Sequence, residues 1–166
     1  MSPIVRRIQP DEGRRLRALR LRALADAPLA FGSTLAKEEA FADPVWHERA
    51  ARCAAGETAV TYVAEDGDRW VGMVTGLMDE PDEPRLEVVG MFVEPVARER
   101  GVGTALLDAV AGWARRRGAK RLHLWVTSTN DPAIRLYQRC GFRPTGKNKP
   151  FDRAPSLLEC EMVKDL

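Results

Sequence analysis

LEVVGMFVEPVARERGVGTALL, residues 86–107, joins three kinds of chain in one run. Val88 to Val93 is apolar and rich in β-branched residues, which reads as a buried strand within Leu86–Val93. A turn follows, bearing Glu94, Pro95, Arg98 and Arg100. Gly101-Val102-Gly103 then opens a helix with apolar positions at Ala105, Leu106, Ala109, Val110 and Trp113. The first N–H groups of a helix have no partner inside it, and the helix dipole adds partial positive charge there. Glycines remove the Cβ atoms that would hold an anion away from the backbone. Arg98 and Arg100 add planar, permanently charged donors. The run therefore reads as a site for phosphate.

The glycine pattern alone decides little about which kind. A dinucleotide fingerprint would need a third glycine where Leu106 stands, and a triphosphate loop would need GxxxxGK[ST], which is absent. What is present is R-x-x-G-x-G, Arg98 to Gly103, followed by Thr104 and Ala105. Further on, NDPAIRLYQRCGF, residues 130–142, places Asn130 and Tyr137 two helical turns apart, about 10 Å along the axis, with small Ala133 between them. A long thin ligand can lie along that side, and the Asn130 amide offers it a donor and an acceptor.

Together the two segments resemble motif A and the N-x-x-A-x-x-L-Y-x-x-x-G-F segment of the GCN5-related N-acetyltransferase (GNAT) family. The resemblance spans Thr58 to Val163 and is weak over the first 55 residues. It implies acetyl-CoA as cosubstrate. The diphosphate would lie on the backbone of Arg98, Glu99, Arg100, Gly101, Val102, Gly103 and Thr104. The pantetheine and acetyl carbonyl would lie on Met91, Phe92 and Val93, where the family's strand carries a bulge, and along Asn130, Ala133 and Tyr137. Gly90 favours an irregularity in that strand. By resemblance, Tyr137 stands beside the thioester sulfur and protonates the departing thiolate. Glu87, the carboxylate inside the strand run, resembles the strand glutamate that acts as base in some members. Partial burial would raise its pKa, although an amine of low pKa needs no protein base. The family's acceptor pocket is shaped by the first helices, here Phe31, Ser33, Glu38, Glu39 and Trp46. An acidic and aromatic wall of that kind suits a cationic amine.

The rest of the chain fits this frame. Its 166 residues form one domain, residues 1–166, with room for a substantial core. The expected order is a strand (4–8), helices (11–25, 35–41, 43–55), strands (58–65, 69–78, 86–93), a helix (101–117), a strand (120–126), a helix (131–140) and two strands (142–146, 156–163). That order describes an α/β (α+β) fold of about seven strands with helices on both faces. The resemblance makes the sheet mixed, mostly antiparallel, and splayed between strands 4 and 5.

A net charge of +2 is too small to argue for nucleic acid, and the arginines at 14–22 and 115–121 read as solvated helix faces, so no nucleic-acid partner is expected. No apolar run approaches the ~20 residues that span a bilayer, and the N-terminus lacks a signal-peptide core. Cys53, Cys140 and Cys160 form no disulfide or metal pattern and read as reduced thiols in the cytoplasm. His47 and His123 have no metal-ligand spacing, so no metal is expected. The expected function is acetyl transfer from acetyl-CoA to a primary amine of an unidentified small molecule or protein N-terminus, by direct attack in a ternary complex. The alternative is a catalytically weak acyl-CoA-binding or sensing module of the same fold. A homodimer is common among similar proteins.

Overall fold

Strand 58–65 carries apolar residues on both of its faces, Ala59 and Val63 on one and Val60, Tyr62 and Ala64 on the other, and such a strand is stable only if both sheet faces are covered. A computed structural model, describing residues 2–78 and 85–166, shows how they are covered. In chain order the elements are β1 (Ile4–Arg7), α1 (Gly13–Asp26), α2 (Leu35–Glu39), α3 (Asp43–Ala55), β2 (Ala59–Asp66), β3 (Arg69–Met78) and β4 (Leu86–Val93). A 3-10 turn (Pro95–Ala97) leads to α4 (Val102–Arg116), β5 (Arg121–Thr127), α5 (Asp131–Arg139), β6 (Arg143–Phe151) and β7 (Ala154–Asp165). The acidic turn expected at 79–84 lies outside the described residues.

The seven strands form one sheet in the order β1-β2-β3-β4-β5-β7-β6. Every pair is antiparallel except β4–β5. On one face, α4 and α5 cover a core containing Val60, Val74, Leu106, Val110, Trp113 and Leu124. On the other, α1 and α3 cover Leu19, Leu24, Trp46, Val63, Met73 and Phe92.

Two irregularities meet in β4. Against β3 the register moves from Met73–Phe92 to Thr75–Val89, so β4 carries one extra residue at Gly90–Met91. Gly90 has φ +61°, a left-handed conformation that glycine adopts without strain. The extra residue reverses the alternation of the strand. Leu86 and Val88 face the α4 layer, as do Met91 and Val93 beyond the bulge, while Phe92 joins the α1–α3 core. Against β5, pairing consists of Leu86–Leu122, Glu87–His123 and Val88–Leu124, and then stops. Past Val88 the two strands part, which is the splay the resemblance implied.

The C-terminal hairpin differs from expectation. Residues 147–155, rich in Lys, Asn and Pro, read as a loop, but β6 runs on to Phe151 beside a long β7. Pro144 and Pro150 are tolerated because β6 is the outermost strand and its register shifts beside both of them. At the start of α3, Asp43 lies inside the first turn and Ala42 takes the N-cap position expected for Asp43.

Candidate active site

The end of β4 is held from below. Glu94 is buried, and its carboxylate accepts from Arg22 Nε of α1 at 2.5 Å and Arg69 Nη2 of β3 at 2.7 Å. Its own N–H donates to Val71 O. From this anchor the chain turns through two left-handed residues, Glu99 (φ 62°) and Gly101 (φ 79°), into α4. Such a turn points successive amides to one side. No side chain caps α4, its first turn carries no acidic residue, and the N–H groups of Val102, Gly103 and Thr104 donate to no described residue. The two glycines differ in role. Gly101 needs its conformation, with open space where a side chain would be. Gly103 lets α5 come close, because a Cβ there would fall 2.8 Å from Leu136 Cδ2, which would have to give way. Arg98, expected to add charge toward an anion, instead staples the turn. Its Nε donates to Val93 O at 2.9 Å and its Nη2 to Asp26 at 2.6 Å. Arg100 pairs with Asp66.

α5 lies alongside. Asn130 is its N-cap, one residue before the expected Asp131, and Oδ1 accepts from Ala133 N at 3.4 Å. The amide oxygen expected to serve a ligand is therefore used by the helix itself. Ala133 and Leu136 are half-buried, and Met91 packs against the same core. Tyr137 is buried edge-on to Phe142, ring centroids 5.8 Å apart. Burial pushes its phenol well above the ordinary value of 10, so it is a protonated donor at neutral pH. Cys140, a turn further on, points its Sγ toward Thr104 Oγ1 in the first turn of α4.

On the opposite side of β4 is a cavity of about 430 Å³. Glu87 and Gly90 line it from β4, Phe31 and Trp46 from the helical side, Trp125 from β5 and Lys149 from the far hairpin. The structure thus brings Glu87, Phe31 and Trp46 to one space. It does not bring Glu38 there. That carboxylate is 1% exposed, out of the lining, and held by Arg20 (3.0–3.3 Å) and Arg49 (3.0 Å). Burial would raise its pKa, but the arginine hydrogen bonds outweigh burial and hold it below the usual carboxylate range. Instead of the acidic wall expected for a cationic amine, the helical side presents Arg20, Arg49 and Arg52. Glu87 has an arginine partner: Arg85 Nε donates to it at 3.0 Å while also pairing with buried Glu161. His123, beside Glu87 across the strands, is held neutral by burial and by the nearby Arg85 charge.

Arg20, Arg85 and Glu94 escaped the sequence reading. Arg20 had a signal: it lies four residues from both Leu16 and Leu24, on the apolar stripe of α1. Glu94 had none, since its partners are distant in sequence, and Arg85 stands two residues from Glu87 while its other partner, Glu161, is far along the chain.

The model of the Acetyltransferase (GNAT) family matches residues 22–142. A mycothiol acetyltransferase from Salinispora arenicola is 35% identical over 139 residues, covering 82% of this chain and 43% of that protein. The chain spans less than half the length of the curated relatives it matches. Among solved structures, an acetyltransferase of the GNAT family from Streptococcus pneumoniae superposes with TM-score 0.85, 20% identity and 99% coverage of both chains. The paia N-acetyltransferase from Thermoplasma acidophilum, solved in complex with coenzyme A, does so with TM-score 0.75, 14% identity and full coverage of both.

Removing Glu38 leaves two guanidiniums crowded without their shared anion. Glu38→Ala is expected to cost about 2–4 kcal/mol at pH 7, below a fully buried pair because Arg49 is partly exposed. A carboxylate held below its ordinary 4.5 stabilises the fold above that pH and loses its contribution as pH falls through the folded value. Urea titrations of both proteins should therefore converge in acid. A cost under about 0.5 kcal/mol, or a difference independent of pH, contradicts this.

Proposed function

The chain belongs to the Acetyltransferase (GNAT) family, and from that premise we propose that it transfers the acetyl group of acetyl-CoA to a primary amine by direct attack in a ternary complex. The observation that carries this reading is the conjunction at β4. A strand edge left bare beyond Val88 leads into a helix whose first N–H groups are unpartnered among the described residues. The first suits the amides and carbonyl of a pantetheine thioester, the second a diphosphate. Acetyl-CoA would supply the activated acyl group.

In this reading each side chain has a limited task. The N–H groups of Val102, Gly103 and Thr104 hold the diphosphate, and the left-handed turn at Glu99–Gly101 aims them. Arg98 contributes by fixing that turn to β4 and α1. Met91 to Val93 offer backbone donors to the carbonyl oxygen, whose negative charge grows as the amine adds to the carbonyl carbon. Asn130 and Ala133 border the arm through the helix start, and Asn130 offers its remaining NH₂ group. As the C–S bond breaks, Tyr137 gives its phenolic proton to the sulfur. Burial suits it to that role by keeping the proton on oxygen at neutral pH. Glu87, at the cavity wall and oriented by Arg85, accepts a proton from the amine, directly or through water. Phe31 and Trp46 shape the acceptor space, while Glu38 acts at one remove by setting Arg20 and Arg49. Holding both reactants in one frame supplies much of the acceleration, as positioning can provide ~7–11 kcal/mol.

A broad amine screen followed by thiol release tests the activity. Tyr137→Phe is expected to lower kcat by about a hundredfold or more while acetyl-CoA affinity is kept. Normal turnover would remove Tyr137 from the acid role. Thr104→Asp puts negative charge in the first turn of α4, where an acidic residue favours the helix itself. Its fold should therefore survive while acetyl-CoA affinity, measured by calorimetry, drops at least about tenfold. Unchanged affinity would displace the diphosphate from this turn.

A further inference from the structure

Resting on the reading that the cavity beside β4 receives the acceptor, we propose that the acceptor amine carries a carboxylate, and that Arg20 is the residue that selects it.

The charge of the lining comes first. Four cationic side chains border the cavity, Arg20, Arg49, Arg52 and Lys149, against the carboxylates of Glu87 and Glu159. Glu87 shares Arg85 with buried Glu161, and Glu159 pairs with Lys149, one of those four cations, which leaves the three arginines to set the sign of the helical side. Glu38 offsets one of the two arginines it bridges. Arg52 has no ion pair among the described residues. A polycationic acceptor would bring like charge to this wall, whereas a carboxylate would complete it.

The arginine geometry narrows the choice. Arg20 grips Glu38 with Nε and Nη2, so its plane is fixed by a forked pair. Its guanidinium also lies over the Phe31 ring, 4.8 Å from the centroid. The remaining nitrogen, Nη1, donates to no described residue. It faces the β4 bulge, since a side-chain carbon added at Gly90 would lie 3.6 Å from it. Gly90, which carries no side chain, leaves that approach open. A preset donor therefore points at the same bulge where the thioester is placed in the proposed function. A carboxylate seated on Arg20 would leave an amine on the neighbouring carbon beside the bulge and near Glu87.

Trp46 supplies an independent sign. It lines the cavity, is 1% exposed, and its indole N–H is buried with no acceptor among the described residues. A buried donor without a partner is costly and calls for an acceptor. A carboxylate offers acceptors only, whereas an ammonium offers none. Arg49 stacks over both Trp46 and Phe41, with centroids 5.0 Å away, which holds a second guanidinium against the Trp46 ring. In this account Arg20 is the specificity residue and Glu38 a positioning residue.

The test uses matched acceptors: alanine, alaninamide and ethylamine, then phenylalanine, phenylalaninamide and phenethylamine. kcat/KM is followed by thiol release, and binding of N-acetylalanine and N-acetylalaninamide by calorimetry. The carboxylate members are expected to lead by at least about tenfold in kcat/KM and in affinity, with the gain in KM. In Arg20→Gln that ratio should collapse toward unity, and Arg20→Lys, which keeps the charge but not the fork, should restore part of it. Equal or better use of the amides and simple amines overturns the proposal, as does a ratio that survives Arg20→Gln. Failure of the acetyltransferase reading looks different: no acetyl-CoA binding and no thiol release with any amine. In that event the calorimetric ratio still decides whether the cavity selects a carboxylate.

Discussion

Everything at the centre of this molecule follows from β4 having one residue too many on one side and too few partners on the other. The bulge at Gly90–Met91 costs a ladder position against β3, and the parting from β5 after Val88 leaves the rest of that edge unpaired. A central strand gives up such bonds only if the surroundings hold it in place. Here they do. Glu94, clamped by Arg22 and Arg69, fixes the strand's end, and Arg98 fixes the turn beyond it. Core packing of Leu86 and Val88 on one side and Phe92 on the other locks the reversed alternation. The same break that bares the backbone on the α4 face opens the cavity on the α1–α3 face. Two substrates approaching from opposite faces would meet at one strand edge.

The bounds of most elements were legible in the sequence because local rules set them. β3 spans 69–78, α3 spans 43–55 and β4 spans 86–93 as expected, since turns, prolines and glycines punctuate those stretches strongly. β6 was misjudged because its lysines, asparagine and prolines suit a loop, and only the long β7 partner makes them a strand. The expected irregularity at Gly90 appears, but a lone glycine does not reveal that a register shift and a splay coincide there.

The charges were the least legible part. A sequence shows that residues 14–22 hold many arginines, not which of them turn inward. Arg20, Arg22 and Arg85 each meet a carboxylate 18 to 76 residues away, and although the stripe of α1 turns Arg20 inward, no local pattern names those partners. The consequence is a reversal of sign at the cavity. Glu38 looked like a wall for a cation, yet it is the hidden counter-ion of two arginines. Asn130 shows a milder version, since the residue expected to greet a ligand also caps α5.

The most direct test of the central idea is a crystal structure of this protein with acetyl-CoA. The account predicts the diphosphate on the N–H groups of Val102 to Thr104, the pantetheine along the bare edge of β4, and the thioester at the Gly90–Met91 bulge within reach of Tyr137. Cofactor bound elsewhere, or β4 and β5 zipped together past Val88 with the bulge annealed, would contradict it.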